Sequence, residues 1–513
     1  MKKYTHFFMI VLVACAILAR VIPCARTIDD SYITYRYARN ILTGNGFVFN
    51  PGEYVQGTTT PLYTILMTGL GFFWGGSEAP FPQIALIVNA LADSATCLLL
   101  FSIGKRLGYA IGGAATGLAW AIAPFSVTFA VGGLETSVYI FLLTGSIWAH
   151  LAKRRKIAAA FAIMSLLTRP DAILLVGPLF IHRLYQAKFA EEKISAAEAM
   201  LFLIPGIAWG MFAWLYFGSP IPHSVQAKLE VYRLESFSSF IRLVQHYALI
   251  FMQDLVLGPI IGTGIGLILV PFLFVTGSIK AVKTDSAILP YALYPWLYLV
   301  VFSIPNPLIF RWYLAPPTSV LYLFVLMGAE KLCMDIFHIG MFKEKTRLRK
   351  WLVGIIVIAF PLLLNINGWE IRPDHGPGNP SPGMAWIKLE LLYYEAASIV
   401  SPLMTEDTLL AAGDVGVLGF YTPARILDTV GLNSPQSLEY YPIPQDEYVI
   451  NYAIPTQLIL QEKPDWIIIL EVYGRNTFLR NKDFHDRYKL WKTLPTDIYG
   501  SKGLLLFRKV PFE

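Results

Sequence analysis

Asp29 and Asp30 form an adjacent carboxylate pair just past the first apolar run, and Tyr32, Tyr35, Arg36 and Arg39 follow them. Such a pair can take a proton or hold a cation, and it can equally mark a solvated loop start or cap a helix. The tyrosines and arginines recur at helical spacing, which predicts an amphipathic helix lying on a membrane surface. Arg36 and Arg39 there suit a site or a snorkelling contact with lipid headgroups. Arg169 lies in Thr168-Arg169-Pro170-Asp171, between two apolar half-spans. An arginine in that setting is expensive and is a functional candidate by default, with pairing to Asp171 as the structural alternative. Glu135 follows Gly132-Gly133-Leu134, where a carboxylate at a helix start is ordinary. His223 and Lys228 come after Pro220 and Pro222, and Arg311 stands beside Trp312 and Tyr313. A ligand contact competes with a solvated loop for the first two and with an interfacial anchor for the third. Asp414 and Asp428 sit among glycines, where shaping turns is the usual role.

These residues need elements to hold them, and composition names the solvent of those elements. The chain has 513 residues, of which 55% are hydrophobic and 15% charged. Soluble domains run near 25% charged, so the bilayer is the natural surrounding. The net charge of +6 is carried largely in loops between apolar runs. That pattern fits the positive-inside rule and gives no reason to expect a nucleic-acid partner. Cys15, Cys24, Cys97 and Cys333 show neither metal-ligand nor disulfide spacing.

About eleven runs are apolar enough to span, singly or as half-spans. They are 7–25, 82–103, 109–131, 136–152, 157–168, 171–184, 198–217, 247–275, 287–304, 309–330 and 350–367. The first is expected to stay as an uncleaved span. The fifth and sixth read as a hairpin, because Lys153-Arg154-Arg155-Lys156 precedes them and Arg183 and Lys188 follow. Lys2-Lys3, Lys105-Arg106, Lys280, Lys283 and the run Lys343 to Lys350 then share that side. The N-terminus is therefore expected in the cytoplasm and the C-terminal region outside. Residues 1–367 read as a membrane module with a first outer loop at 26–81, and 368–384 as a Pro/Gly linker. Residues 385–513 read as a small α/β outer domain, with a buried strand ending in a turn over Leu409–Asp414 and another over Asp465–Leu470.

Several motifs occur in order along the chain. They are Asp29-Asp30-Ser31-Tyr32-Ile33-Thr34-Tyr35-Arg36-Tyr37-Ala38-Arg39-Asn40, Gly133-Leu134-Glu135-Thr136, Leu167-Thr168-Arg169-Pro170-Asp171, Phe217-Gly218-Ser219-Pro220-Ile221-Pro222-His223 and Gly413-Asp414-Val415-Gly416. With them the chain resembles the GT-C superfamily of membrane glycosyltransferases, in the polyprenyl-phosphate-sugar-dependent bacterial branch that includes the mycobacterial terminal arabinofuranosyltransferase type. The resemblance implies a mainly α, polytopic fold with a C-terminal α/β domain, in the cell inner (plasma) membrane. It implies inverting transfer of a sugar from a polyprenyl-phosphate carrier to a hydroxyl of a cell-envelope glycan, lipid or protein on the non-cytoplasmic face. Asp29 or Asp30 would act as base, since an attacking hydroxyl must lose its proton. Arg36, Glu135, Arg169, His223, Lys228 and Arg311 would contact donor phosphate or sugar. No cofactor is obligatory on this reading, although the acids are compatible with a divalent cation. The rival is a lipid-linked-sugar transporter or flippase, for which inverted repeats with broken helices in both halves would be expected.

Overall fold

The computed structural model describes residues 2–190, 192–339, 346–371 and 379–510. Lys343 and Lys345 of the expected basic run, and Pro373 and Pro377 of the expected linker, lie outside the described residues. The chain divides into two units. Unit 1 comprises Met1–Arg26, Ala85–Ala208 and Phe237–Trp386; unit 2 comprises Thr27–Ile84, Trp209–Ser236 and Ile387–Glu513. The boundary at Trp386 lies beside the expected start of the outer domain. The first outer loop and the segment around residue 220, however, belong with that domain and not with the membrane module.

Unit 1 is helical because, in lipid, backbone groups must find their partners within the segment itself. Five described helices are long and apolar enough to cross a membrane: Phe81–Arg106, Ala196–Phe217, Pro259–Thr284, Ser286–Ser303 and Leu348–Ile366. A sixth candidate is the pair Ala110–Ile122 and Pro124–Val131, bent by 43° at its break. The count of about eleven is thus not established, though helices lie within the remaining expected runs too, among them Lys2–Val21, Thr136–Leu151 and Ala315–Ile339. The expected run 247–275 is broken. The helix Ser238–Ala248 ends, and a new one starts at Pro259, after Gly258 turns the chain at φ 78°. Proline at the first helical position accepts that start and could not continue a preceding helix. The half-spans 157–168 and 171–184 become helices Arg155–Thr168 and Ile173–Phe189, separated by an extended Arg169 and a short turn at Pro170–Ala172.

Two devices hold the helices of unit 1. Small residues let backbones meet: a Cβ on Gly277 would collide with the Phe324 carbonyl, and one on Gly328 with the Leu273 carbonyl. Helices Pro259–Thr284 and Ala315–Ile339 therefore touch along their main chains. The second device is an ion pair with no exposure on either side chain. Arg20 Nε lies 2.9 Å from Asp93 Oδ2. Arg20 also donates to the carbonyls of Ala16 and Ala121, at 2.9 and 2.8 Å. Asp93 in turn accepts from Trp120 Nε1 at 3.1 Å and Ser137 Oγ at 2.7 Å. A short ladder of β1 (Trp369–Ile371) and β2 (Pro380–Pro382) lies near the end of the unit.

Unit 2 contains a five-stranded sheet built from β3 (Leu409–Ala412), β4 (Arg425–Asp428), β5 (Trp466–Leu470), β6 (Tyr488–Leu494) and β7 (Leu504–Lys509). Their order is β4-β3-β5-β7-β6. β3 runs parallel to both β4 and β5, while β7 is antiparallel to β5 and β6. The strand β5 is buried along its whole length, as its unbroken Ile-rich run requires of a central strand. β6 forms one edge and exposes Lys489 and Lys492, charges that discourage further pairing. Chain order reverses at β3, since the next two strands in sequence, β4 and β5, lie on opposite sides of it. Open α/β sheets place ligands beyond the carboxyl ends of strands at such a point.

Removing the Asp93 carboxylate leaves Arg20 buried without its counter-charge. Asp93→Ala is expected to lower unfolding free energy in detergent by about 3–5 kcal/mol. A melting temperature equal to wild type would show that the pair is not holding these helices.

Candidate active site

The helix Asp29–Leu42 forms where its spacing predicted, with both acids in the first turn, where the helix dipole favours them. Its surroundings differ from the expectation. Nine of its fourteen residues are buried, so it is packed inside unit 2 and not laid on a membrane surface. Asp29 explains how. Its Oδ2 accepts from the Gly416 N–H at 2.9 Å and its Oδ1 from the Val417 N–H at 2.8 Å. Those amides open the short helix Gly416–Tyr421 that follows β3. A side chain at residue 416 would run into the main chain and carboxylate of Asp29, so only glycine permits the approach.

Asp30, one residue on, is half-buried, and Lys228 is within electrostatic reach. Burial raises the Asp30 carboxyl above the usual range, and Lys228 opposes the rise. Asp414, two residues past β3, accepts from Tyr393 Oη at 2.6 Å and Tyr473 Oη at 3.2 Å. Glu390 Oε1 accepts from the Asp29 N–H at 3.3 Å, while its Oε2 is buried without a hydrogen-bond partner. Burial, and then the charge of Asp414, hold Asp29 well above the ordinary carboxylate value. Asp414 is raised by burial, with Asp30 adding to the effect against the two tyrosine bonds. Glu390 is pushed up to about 7, chiefly by burial. Four carboxyls with one lysine beside them cannot all ionise easily at neutral pH. Burial thus favours protonated forms within the cluster, which lies at the strand-order reversal of the sheet.

Glu390, Tyr393 and Tyr473 are members that sequence reasoning passed over. Glu390 and Tyr393 stand three apart on one helix face, which was a usable signal once the helix Lys388–Val400 was recognised. Asp414 was expected mainly to shape a turn, with acceptor contact as the competing role. Asp428 does shape a turn: it accepts from the amides of Val430, Gly431 and Asn433 at 3.0, 3.1 and 2.9 Å.

The other expected site residues separate. Arg36 is committed to the fold. It donates to the carbonyls of Phe49 at 2.7 Å and Ala424 at 3.0 Å, to Asn50 Oδ1 at 3.2 Å, and to the Gly419 carbonyl. Its guanidinium also lies 4.6 Å from the centre of the Phe49 ring. This is a strut between the loop and the helix after β3, and it corrects the expectation of a donor-binding arginine. Arg39 is used in the same way, on the Phe420 and Ser77 carbonyls at 2.6 and 3.2 Å. His223 opens the helix His223–Val231 that also carries Lys228.

Within unit 1, Glu135 and Arg169 do come together. Arg169 binds Asp171 through two bonds, at 2.9 and 3.1 Å, and Glu135 Oε1 at 3.2 Å, with 4% of its surface exposed. Its guanidinium lies 5.1 Å from the Tyr139 ring and 4.8 Å from that of Tyr313. Two carboxylates already balance this arginine. Arg311 is exposed at the start of the turn Arg311–Leu314 and is within electrostatic reach of Arg242. Among the described residues, no group of three or more His, Cys, Asp or Glu side chains could hold a metal ion.

A family described as "Domain of unknown function (DUF8728)" matches residues 386–507. The chain is 28% identical over 218 residues to the "Terminal beta-(1->2)-arabinofuranosyltransferase" of Mycobacterium tuberculosis (strain ATCC 25618 / H37Rv). That stretch covers 39% of this chain and 34% of the relative, about a third of the relative's length. The whole chain superimposes on ArnT from Cupriavidus metallidurans bound to undecaprenyl phosphate, with TM-score 0.59, 12% identity and coverage of 99% and 98%. The apo oligosaccharyltransferase of Archaeoglobus fulgidus matches with TM-score 0.57 and 11% identity, over 100% of this chain and 75% of that one. The fold is therefore the one shared by ArnT and the archaeal oligosaccharyltransferase.

Glu390 gives the cluster a pH signature. Its folded value of about 7 exceeds the ordinary 4.5, so the fold binds its proton more tightly than the unfolded chain does. That stability is fully present below pH 4.5 and is lost as pH rises through about 7. Glu390→Gln should remove this loss, gaining about 3 kcal/mol on wild type between those limits. Parallel pH profiles of unfolding for the two proteins would contradict it.

Proposed function

We propose that this chain is an inverting glycosyltransferase that moves a sugar from a polyprenyl-phosphate carrier onto an acceptor hydroxyl, with Asp30 as the general base. The observation that carries the assignment is the division of labour between the two acids. Both oxygens of Asp29 are held by the Gly416 and Val417 amides, whereas Asp30 stands beside Lys228. Support for transfer over transport comes from the name of the mycobacterial relative and from the fold shared with ArnT, whose structure holds undecaprenyl phosphate.

The chemistry follows from these positions. The acceptor hydroxyl attacks the anomeric carbon from the side opposite the phosphate and gives its proton to Asp30, while the bond from that carbon to the phosphate oxygen breaks with its electron pair. A single displacement inverts the centre through an oxocarbenium-like transition state. The leaving phosphate is already a weak base, so no separate acid is needed. Lys228 supplies positive charge close to Asp30 and favours the ionised form that a base requires. Burial favours the protonated forms of Glu390 and Asp414, which would limit the negative charge around an anionic donor. Asp29 is a positioning residue. We place the acceptor among envelope glycans, lipids or proteins, on the non-cytoplasmic face of the plasma membrane. The basic loops support that orientation, with the N-terminus in the cytoplasm.

The test is transfer from a panel of polyprenyl-phosphate sugars to envelope-extract acceptors. Asp30→Asn should lower kcat by about 10²–10⁴-fold with the melting temperature unchanged. Asp29→Ala should instead weaken the fold by about 1–3 kcal/mol, since it leaves two buried amides without acceptors. Full transfer by folded Asp30→Asn would overturn the assignment of the base.

A further inference from the structure

Unit 2 has a second concave site, away from the acids. A cavity of about 340 Å³ is bounded by Tyr54, Gln56, Phe217, Ser219, His223 and Gln226, among others. That volume is at the low end for small-ligand sites. His223 and Lys228 share one helix, five residues apart. At about 100° per residue their side chains leave the helix about 140° apart, so the cavity and Asp30 lie on different sides of it.

Its walls have a consistent chemistry. Gln56 is 3% exposed, and its Oε1 has no hydrogen-bond partner. Nε2 of His223 is likewise buried and unpartnered. Buried polar atoms left in this way call for an explanation, because each carries a desolvation penalty. Beside them stand aromatic faces. Tyr54 is 57% exposed and is steadied edge-on by Tyr216, at 4.9 Å between ring centres. No residue lining the cavity is an acid, a lysine or an arginine. Burial lowers the His223 imidazole below its ordinary value, which favours the neutral ring.

The geometry points to a subsite for a neutral carbohydrate, with Gln56 and His223 bonding ring hydroxyls and Tyr54 and Phe217 covering the apolar face of a sugar. Neutral walls give nothing to hold a phosphate. An acyl or prenyl chain would leave Gln56 and His223 unsatisfied. A saccharide answers both demands at once, since one side of a pyranose or furanose ring is apolar and its rim carries donors and acceptors. Resting on the glycosyltransferase reading, the ligand is the glycan acceptor, bound through sugars behind the one whose hydroxyl meets Asp30. The cavity then selects acceptor, not donor.

The subsite is tested apart from catalysis. Purified full-length chain in nanodiscs is titrated with arabinofuranosyl, mannosyl and galactosyl trisaccharides, followed by saturation-transfer difference NMR, with inorganic phosphate as competitor. At least one trisaccharide should bind. Its Kd should rise ten-fold or more in Gln56→Leu and in Tyr54→Ala, and be indifferent to phosphate. Tyr54 is exposed, so its variant reports on binding without disturbing the core. No saturation transfer from any trisaccharide, equal Kd in Tyr54→Ala, or displacement by phosphate would overturn the subsite. Binding that follows this pattern, in a protein that transfers from no donor, would keep the subsite and remove the catalytic reading.

Discussion

The carboxylate of Asp29 meeting the amides of Gly416 and Val417 fixes the geometry on which the acid cluster depends. Burying a carboxylate costs several kcal/mol unless it is hydrogen-bonded. Here two charge-assisted bonds and the start of a short helix offset that cost. The same contact brings a loop near the beginning of the chain against a domain that begins almost four hundred residues later. Along the helix Asp29–Leu42 the pattern repeats with the opposite sign. Arg36 and Arg39 reach main-chain carbonyls at Gly419, Phe420 and Ala424. The helix is thus tied near its first turn by an anion on amides and further along by cations on carbonyls. A side chain one step from these ties has little freedom, and Asp30 is that side chain.

Charge economy is the second theme. Two of the charged clusters have more acids than bases. In unit 2, Asp29, Asp30, Asp414 and Glu390 are accompanied by Lys228; in unit 1, Asp171 and Glu135 share Arg169. In unit 2 the imbalance is relieved by protonation, through burial that lifts Glu390 to about 7. A site of this kind can respond to an arriving proton or anion by shifting protons among its own groups, which is cheaper than moving side chains. In unit 1 the imbalance is met by geometry, with the guanidinium bonded to both acids between two tyrosine rings. Arg169 is therefore held in place before any ligand arrives.

Much of this was legible in the residues. The strand in the run from Leu409, the buried run of β5, the helix through Tyr32 to Arg39 and the break at Arg169 all follow from pattern and turn chemistry. The rest was not, for physical reasons. Arg36 looked like a phosphate ligand because nothing in a sequence distinguishes an arginine aimed at solvent from one aimed at carbonyls in another segment. The joining of residues 27–84 with the C-terminal domain rests largely on side-chain-to-backbone bonds, which carry no pairing code. The apolar run 247–275 resembled one span, but Gly258 and Pro259 divide it, and the punctuation outweighs the hydrophobicity.

An adjacent acid pair invites the assumption that its members share a task. On a helix they do not share a direction. Successive side chains diverge by about 100°, so two neighbours on one turn address different surroundings. Asp29 is turned to the amides at Gly416 and is held there; Asp30 is turned toward Lys228. Exchanging the two would place a fixed, amide-bonded carboxylate where a base is needed and a half-buried one where the fold needs its anchor. The doublet is better understood as one structural and one chemical residue, adjacent because the second is only as well placed as the first is rigid.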